Sequence, residues 1–195
     1  MKLKLFPKHM VYMVKELFIP VIVGTTRQKR KSIHVAKLIV EIGNKIKGIK
    51  TQLVDPLDFK MPYDGNDKEV KDPKYSKLTE KADGFFIVVP EYNHSFPGTL
   101  KRLLDSELKN YIHKPVAFAG VSAGPWGGVR AIESLINPVR EMGLVSIHTD
   151  VQFPNVGKLF NEKGELQDDA YFKRVQKVFD ELIWMVKALE NGRKK

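Results

Sequence analysis

The sequence predicts an α/β domain, a three-layer sandwich in which a five-stranded parallel sheet carries helices on both faces. Three observations predict it. Runs such as Gly84-Phe85-Phe86-Ile87-Val88-Val89 and Pro115-Val116-Ala117-Phe118-Ala119-Gly120-Val121 are apolar without alternation, so both faces of each strand must be covered. Segments with apolar residues at helical spacing separate these runs, which calls for crossovers between parallel strands. Loops rich in glycine, proline or hydroxyls follow the first, third and fourth buried runs, at 24–32, 90–98 and 122–128. In a parallel sheet such loops gather at the carboxyl edge, where ligands bind.

In chain order, residues 1–17 mix lysines with Leu3, Leu5, Phe6, Met10, Val11, Met13 and Val14. They lack the long apolar centre and small-residue cleavage site of a secretory signal, and they contain neither arginine nor serine. They read as an appended segment of unknown role, with Met10 or Met13 as alternative starts, and the domain proper as 18–190. Phe18–Val23 reads as the first strand and Gly24-Thr25-Thr26-Arg27 as its turn. A helix then begins near Ser32, with Ile33, Val35, Ala36, Leu38, Ile39, Ile42 and Ile46 on its packed side and Gly48 at its close. Ile49–Asp55 alternates weakly, as an edge or near-edge strand does, and Pro62–Pro73 is a long Asp-, Gly-, Asn- and Pro-rich loop. A short helix around Tyr75–Ala82 precedes the central strand, which Pro90 ends because proline cannot donate to a ladder. Leu100, Leu103, Leu104 and Leu108 then follow helical spacing. After the strand of 114–121, a helix over 129–142 contains Pro138, a bend or break. Leu144–Val151 is the last strand, Asn155–Glu165 a loop, and 168–188 a long final helix.

Composition bounds the chemistry. A chain of 195 residues makes one domain with a substantial core, and no apolar run approaches the roughly 20 residues of a membrane span. The absence of cysteine excludes disulfides, thiolate metal sites and a cysteine nucleophile, and it suits a reducing cytosol, so a cytoplasmic location is expected. His9, His34, His113 and His148 show no ligand spacing, and no metal site is expected. A net charge of +10 suits nucleic acid, an anionic membrane or phosphorylated small molecules. The excess is scattered through Gln28-Lys29-Arg30-Lys31, the helices and the C-terminal Arg193-Lys194-Lys195, so it reads as a solvated basic surface rather than a nucleic-acid site.

The three loops carry the candidate chemistry. Gly24 to Ser32 combines hydroxyls, Arg27 and a helix N-terminus, which together attract an anion such as phosphate, although an ordinary strand-to-helix turn has the same composition. It lacks the Gly-Lys-Ser ending of a P-loop and the second and third glycines of the dinucleotide fingerprint. Pro90-Glu91-Tyr92-Asn93-His94 offers amides and a flat ring to a planar heterocycle. Glu91 beside His94 also suggests acid/base work, but without a serine or cysteine partner a structural histidine is the stronger account. Gly124, Gly127 and Gly128 allow close backbone approach, to a ligand or simply within a turn, and Trp126 is placed to cover a ligand or a partner chain.

Taken together, Gly24-Thr25-Thr26-Arg27, Pro90-Glu91-Tyr92-Asn93 with Pro97-Gly98-Thr99-Leu100-Lys101, and Ser122-Ala123-Gly124-Pro125-Trp126-Gly127-Gly128 resemble the NADPH-dependent FMN reductase family of flavodoxin-like proteins, over about residues 18 to 186. The family commonly has Gly-Ser-x-Arg where this chain has Thr25 for the serine, and Lys29-Arg30-Lys31 is an inserted run. The resemblance implies that Thr25, Arg27 and Ser32 hold the FMN phosphate with Thr26 nearby. It also implies that Pro90, Glu91, Tyr92 and Asn93 follow the isoalloxazine edge largely by backbone, while Ser122, Gly124, Gly127 and Gly128 line the ring. It implies hydride transfer from NADPH or NADH to FMN and onward to a quinone, azo dye, metal oxyanion or free flavin, so the flavin carries the chemistry and no catalytic side chain is expected. A homodimer or homotetramer is implied too, with Trp126 and the 62–73 loop as candidate contacts. A flavodoxin-type carrier without nicotinamide turnover and a nucleic-acid module are the competing functions.

Overall fold

The computed structural model describes residues 15–61 and 71–193. The apolar run of the central segment forms β3 (Phe85–Pro90), buried at every residue. Side chains alternate across a strand, so Phe85, Ile87 and Val89 join one core layer while Phe86 and Val88 join the other. The first layer lies under α2 (Pro73–Lys81), α3 (Gly98–Asp105) and α4 (Val129–Glu141), and the second under α1 (Ser32–Lys45) and α6 (Ala170–Arg193). Phe86 and Phe179 meet edge to face in the second layer, with ring centroids 5.2 Å apart.

With β1 (Leu17–Val23), β2 (Ile49–Val54) and β4 (Pro115–Val121), the sheet runs β2-β1-β3-β4 in wholly parallel register, and β2 is the expected edge. The fifth lane differs from the continuous strand expected over 144–151. It is split into β5 (Val145–Ser146), beside Pro115 and Val116, and β6 (Val151–Phe153), beside Ala119 to Val121. The polar intervening residues leave the ladder, and the amides of His148 and Thr149 donate instead to the Glu181 carboxylate of α6, at 2.9 and 3.0 Å.

Other boundaries shift for local reasons. Leu108 falls outside α3, which ends as the Ser106 hydroxyl donates to the Leu103 carbonyl at 2.6 Å. Helix α4 runs through Pro138 without a break, since one lost backbone bond is outweighed by the buried face of Ala131, Ile132, Leu135 and Val139. The loop expected at 155–165 contains a helical turn, α5 (Val156–Leu159), and α6 extends to Arg193. Leu17, assigned from sequence to the extension, is the first residue of β1, while most of that segment and most of the 62–73 loop lie outside the described residues.

Helix α2 is fixed at its start by Asp72. Its carboxylate accepts the amides of Lys74 and Tyr75, at 2.8 and 3.4 Å, and that of Lys60 at 2.8 Å across the intervening segment. Burial pushes this carboxyl up, but the three amide donors outweigh it and hold the group below the usual carboxylate range. A depressed carboxyl stabilises the fold above its unfolded value of about 3.9, and that contribution is lost as the pH falls through the folded value. Asp72→Ala is therefore expected to cost about 1 kcal/mol near neutrality. Urea unfolding of both proteins across the acid range should show the difference shrinking below about pH 4.

Candidate functional site

The carboxyl ends of β1, β3 and β4 surround a cleft of about 470 Å³, at the point where strand order reverses between β1 and β3. Arg27 to Ser32 form one wall, Pro90 to Tyr92 a second and Val121 to Ala123 a third, with Val156 of α5 closing the side. A larger hollow of about 610 Å³ lies between the outer part of β2 and α2, beneath Lys50, Lys74 and Lys77. It is lined by none of the loops after β1, β3 or β4, and among the described residues it contains no buried polar atom lacking a partner, so the smaller cleft is the functional candidate.

That distinction is sharp. Among the described residues, the buried side-chain nitrogens and oxygens without a hydrogen-bond partner are Arg30 Nε, Ser32 Oγ and Glu91 Oε2, and all three residues line this cleft. Such atoms are costly unless a ligand or water satisfies them. Two lie on the 27–32 segment that opens α1, and both can donate. The helix presents its first-turn amides there with no acidic residue and no side-chain cap, an arrangement that attracts an anion. Glu91 Oε2 belongs to the opposite wall and can only accept while ionised.

The sequence-predicted residues divide. Arg27, Ser32, Pro90, Glu91, Tyr92 and Ser122 line the cleft, whereas Thr25, Thr26, Asn93, Gly124, Gly127 and Gly128 are not among its lining residues. The buried Thr25 hydroxyl lies 3.0 Å from the Tyr92 hydroxyl and accepts the Arg27 amide at 3.2 Å, joining the first two loops. Thr26 reaches Thr99 across 3.5 Å. Arg27 is exposed and stacks over the Tyr92 ring, 5.7 Å from its centroid. Asn93 and His94 take left-handed backbone, φ +50° and +65°, in a tight reversal closed by reciprocal Tyr92 and Ser95 backbone bonds.

Two glycines of the third loop, Gly127 and Gly128, serve the loop itself. Gly127 and Gly128 have φ of +62° and +84°, and a side chain on Gly128 would collide with Gly120 and Val121 of β4. Ser122 is likewise occupied: its hydroxyl donates to the Gly124 carbonyl and accepts the Gly127 amide, both at 2.8 Å.

Sequence reasoning missed Arg130. Projecting from α4, it donates from Nε to Glu91 Oε1 at 2.7 Å and from a terminal nitrogen to His94 Nε2 at 2.8 Å, and it packs over the Trp126 ring at 5.4 Å. A guanidinium only donates, so His94 Nε2 must accept, which ties the histidine to holding the loop. No spacing rule links Glu91 to Arg130; only the fold brings them together. Gln28, Lys29 and Lys31 also line the cleft, although the sequence suggests only a solvated basic surface there. Among the described residues no cluster of three or more His, Cys, Asp or Glu side chains is arranged for a metal, and no helix is long and apolar enough to cross a membrane.

Fold and cleft together define a flavodoxin-like α/β protein with an open cleft at the switch point of its sheet. The sequence model of the NADPH-dependent FMN reductase family matches residues 18–158, and the chain belongs to that family of FMN- and NAD(P)H-using oxidoreductases. An NADPH azoreductase from a Bacillus species is 30% identical over 155 residues, spanning 77% of this chain and 82% of that protein. A quinone reductase from Pseudomonas putida is 25% identical over 161 residues, 77% of this chain and 84% of that one. The solved structure of FerB, a flavoenzyme NAD(P)H:(acceptor) oxidoreductase from Paracoccus denitrificans, superposes with a TM-score of 0.69 at 20% identity, over 90% of this chain and 98% of that one. A flavodoxin from the domain Archaea superposes at 0.55 with 14% identity, over 89% and 99%. These two structures speak to the fold alone.

Removing Arg130 would leave Glu91, whose side chain is 6% exposed, as a buried carboxylate without its cation. Arg130→Ala is expected to destabilise the protein by about 1–3 kcal/mol and to loosen the 91–95 reversal. Urea unfolding measures the first effect, and faster proteolytic cleavage within that loop reports the second.

Proposed function

We propose that this cleft holds FMN and that the chain reduces quinones or azo compounds with NADPH or NADH. One observation carries the proposal: the unpartnered buried donors Arg30 Nε and Ser32 Oγ and the unpartnered acceptor Glu91 Oε2 all belong to residues of this cleft. That polarity suits a molecule with an anionic end and a hydrogen-bond-donating portion, as FMN is.

Bound FMN supplies the redox chemistry, accepting hydride from the nicotinamide and passing electrons to the acceptor. The chain's own work is positional. Ser32, Arg27 and the first-turn amides of α1 hold the phosphate, with Thr25 and Thr26 bracing the turn from behind. Pro90, Glu91, Tyr92 and Asn93 follow the ring edge, and the Arg130 clamp on Glu91 and His94 keeps that reversal in place. Ser122, Gly124, Gly127 and Gly128 build the opposing loop, whose tight packing on β4 keeps the ring's neighbour rigid. The quinone and azo acceptors are inferred from the named activities of the relatives.

The purified protein should be yellow, and NADPH or NADH added without oxygen should bleach it rapidly, with colour restored by a quinone. A yellow protein that stays coloured would act as a flavodoxin-type carrier instead. Ser32→Ala should weaken FMN binding roughly 10- to 100-fold, measured by flavin fluorescence, as expected for one hydrogen bond to a charged group. A cytoplasmic homodimer or homotetramer completes the proposal, supported by exposed Trp126 and Trp184. Light scattering at micromolar concentration should give a multiple of 22.3 kDa.

A further inference from the structure

We propose that Arg30 is a phosphate-binding residue of the cleft, set in place by Asp55, and that this pair makes the chain discriminate a phosphorylated flavin from an unphosphorylated one. The inference rests on the flavin reading of the cleft and deepens it. Arg30 belongs to the inserted basic run, whose neighbours Lys29 and Lys31 are exposed, yet its own side chain is only 13% exposed. The guanidinium bonds through a terminal nitrogen to Asp55 Oδ2, and its Nε is buried with no partner. A buried arginine edge with an unmet donor is costly in a protein interior, and it lines the same cleft as the equally unmet hydroxyl of Ser32 at the start of α1.

Asp55 is itself fixed. It follows β2 and caps the 3₁₀ turn Pro56–Asp58, its Oδ1 accepting the Leu57 amide at 3.1 Å while Oδ2 faces Arg30. One carboxylate oxygen is thus spent on the backbone and the other on the guanidinium, so the arginine's planar fork is held before any ligand arrives. An anion meeting a pre-positioned arginine loses less side-chain entropy than one that must gather a free surface lysine. The paired charges also explain how a basic run can face the cleft without leaving an unbalanced buried cation. Arg27, exposed and lying over Tyr92, is held by no carboxylate of this kind among the described residues.

The test is titration of the flavin-free full-length chain with FMN and with riboflavin, followed by flavin fluorescence, for the natural protein and for Arg30→Ala, Arg30→Lys and Asp55→Asn. Arg30→Ala should weaken FMN roughly 10- to 100-fold while changing riboflavin less than about 3-fold. Arg30→Lys, which keeps the charge facing Asp55 but lacks the fork, should weaken FMN selectively by a smaller factor. Asp55→Asn should do the same, since its effect acts through Arg30. Should Arg30→Ala fail to fold, Arg30→Lys alone decides by the same FMN-to-riboflavin ratio. Equal losses for both flavins, or unchanged FMN affinity, would overturn the assignment of Arg30 while leaving the cleft's reading intact. A natural protein that binds neither flavin would overturn both.

Discussion

A strand buried on both faces has no room for a polar side chain, so whatever hydrogen-bonding capacity it contributes must come at its end. β3 obeys this constraint along its whole length, with Phe85 to Val89 divided between two core layers and Pro90 closing the ladder. β1 and β4 obey it as well. The polar groups of three loops are thereby forced to the same rim, and the cleft exists because the sheet interior cannot accept them. Stability and function are separated in space by that sorting: the layers beneath can be packed for density while the rim keeps unmet donors and an unmet acceptor.

The layered architecture was legible because its signals are local and redundant. Unalternating apolar runs, helical periodicity and proline stops each point to the same elements, and β2 announced its edge position through Lys50 and Gln52. The fifth lane misled because Leu144 to Val151 has strand-like composition, while its interruption depends on Glu181, some thirty residues away, claiming two backbone amides. Pro138, which the sequence offers as a bend or a break, makes no break, since a helix packed along one face tolerates a lost hydrogen bond that an isolated helix would not.

For the site, the sequence located the loops but not the division of labour within them. Glycines at 127 and 128 suggest close backbone approach, to a ligand or within a turn, and on their side-chain sides the space is filled by Gln152 of β6 beside Gly127 and by β4 backbone beside Gly128. Thr25 and Ser122 offered hydroxyls, and both are engaged in bracing their own loops. The arginines show the limit most clearly. Arg27 stands in a motif and is exposed, whereas Arg30 stands in a charge run and is half-buried, with its Nε fully enclosed. The deciding partner, Asp55, lies just past the end of β2 and carries no motif of its own. Pairings such as Arg30 with Asp55 and Glu91 with Arg130 are long-range facts of the fold.

The break in the fifth lane also bears on how copies of the chain behave in a crowded solution. A long, regular outer strand offers an uninterrupted row of donors and acceptors to any neighbouring molecule and invites uncontrolled sheet growth. Here the outermost lane is reduced to fragments of two and three residues, separated by a stretch whose amides are turned inward to Glu181. The opposite border carries the charged Lys50. Both flanks are thus poor templates for strand addition, so what looks like an imperfection in the ladder works as a safeguard against aggregation.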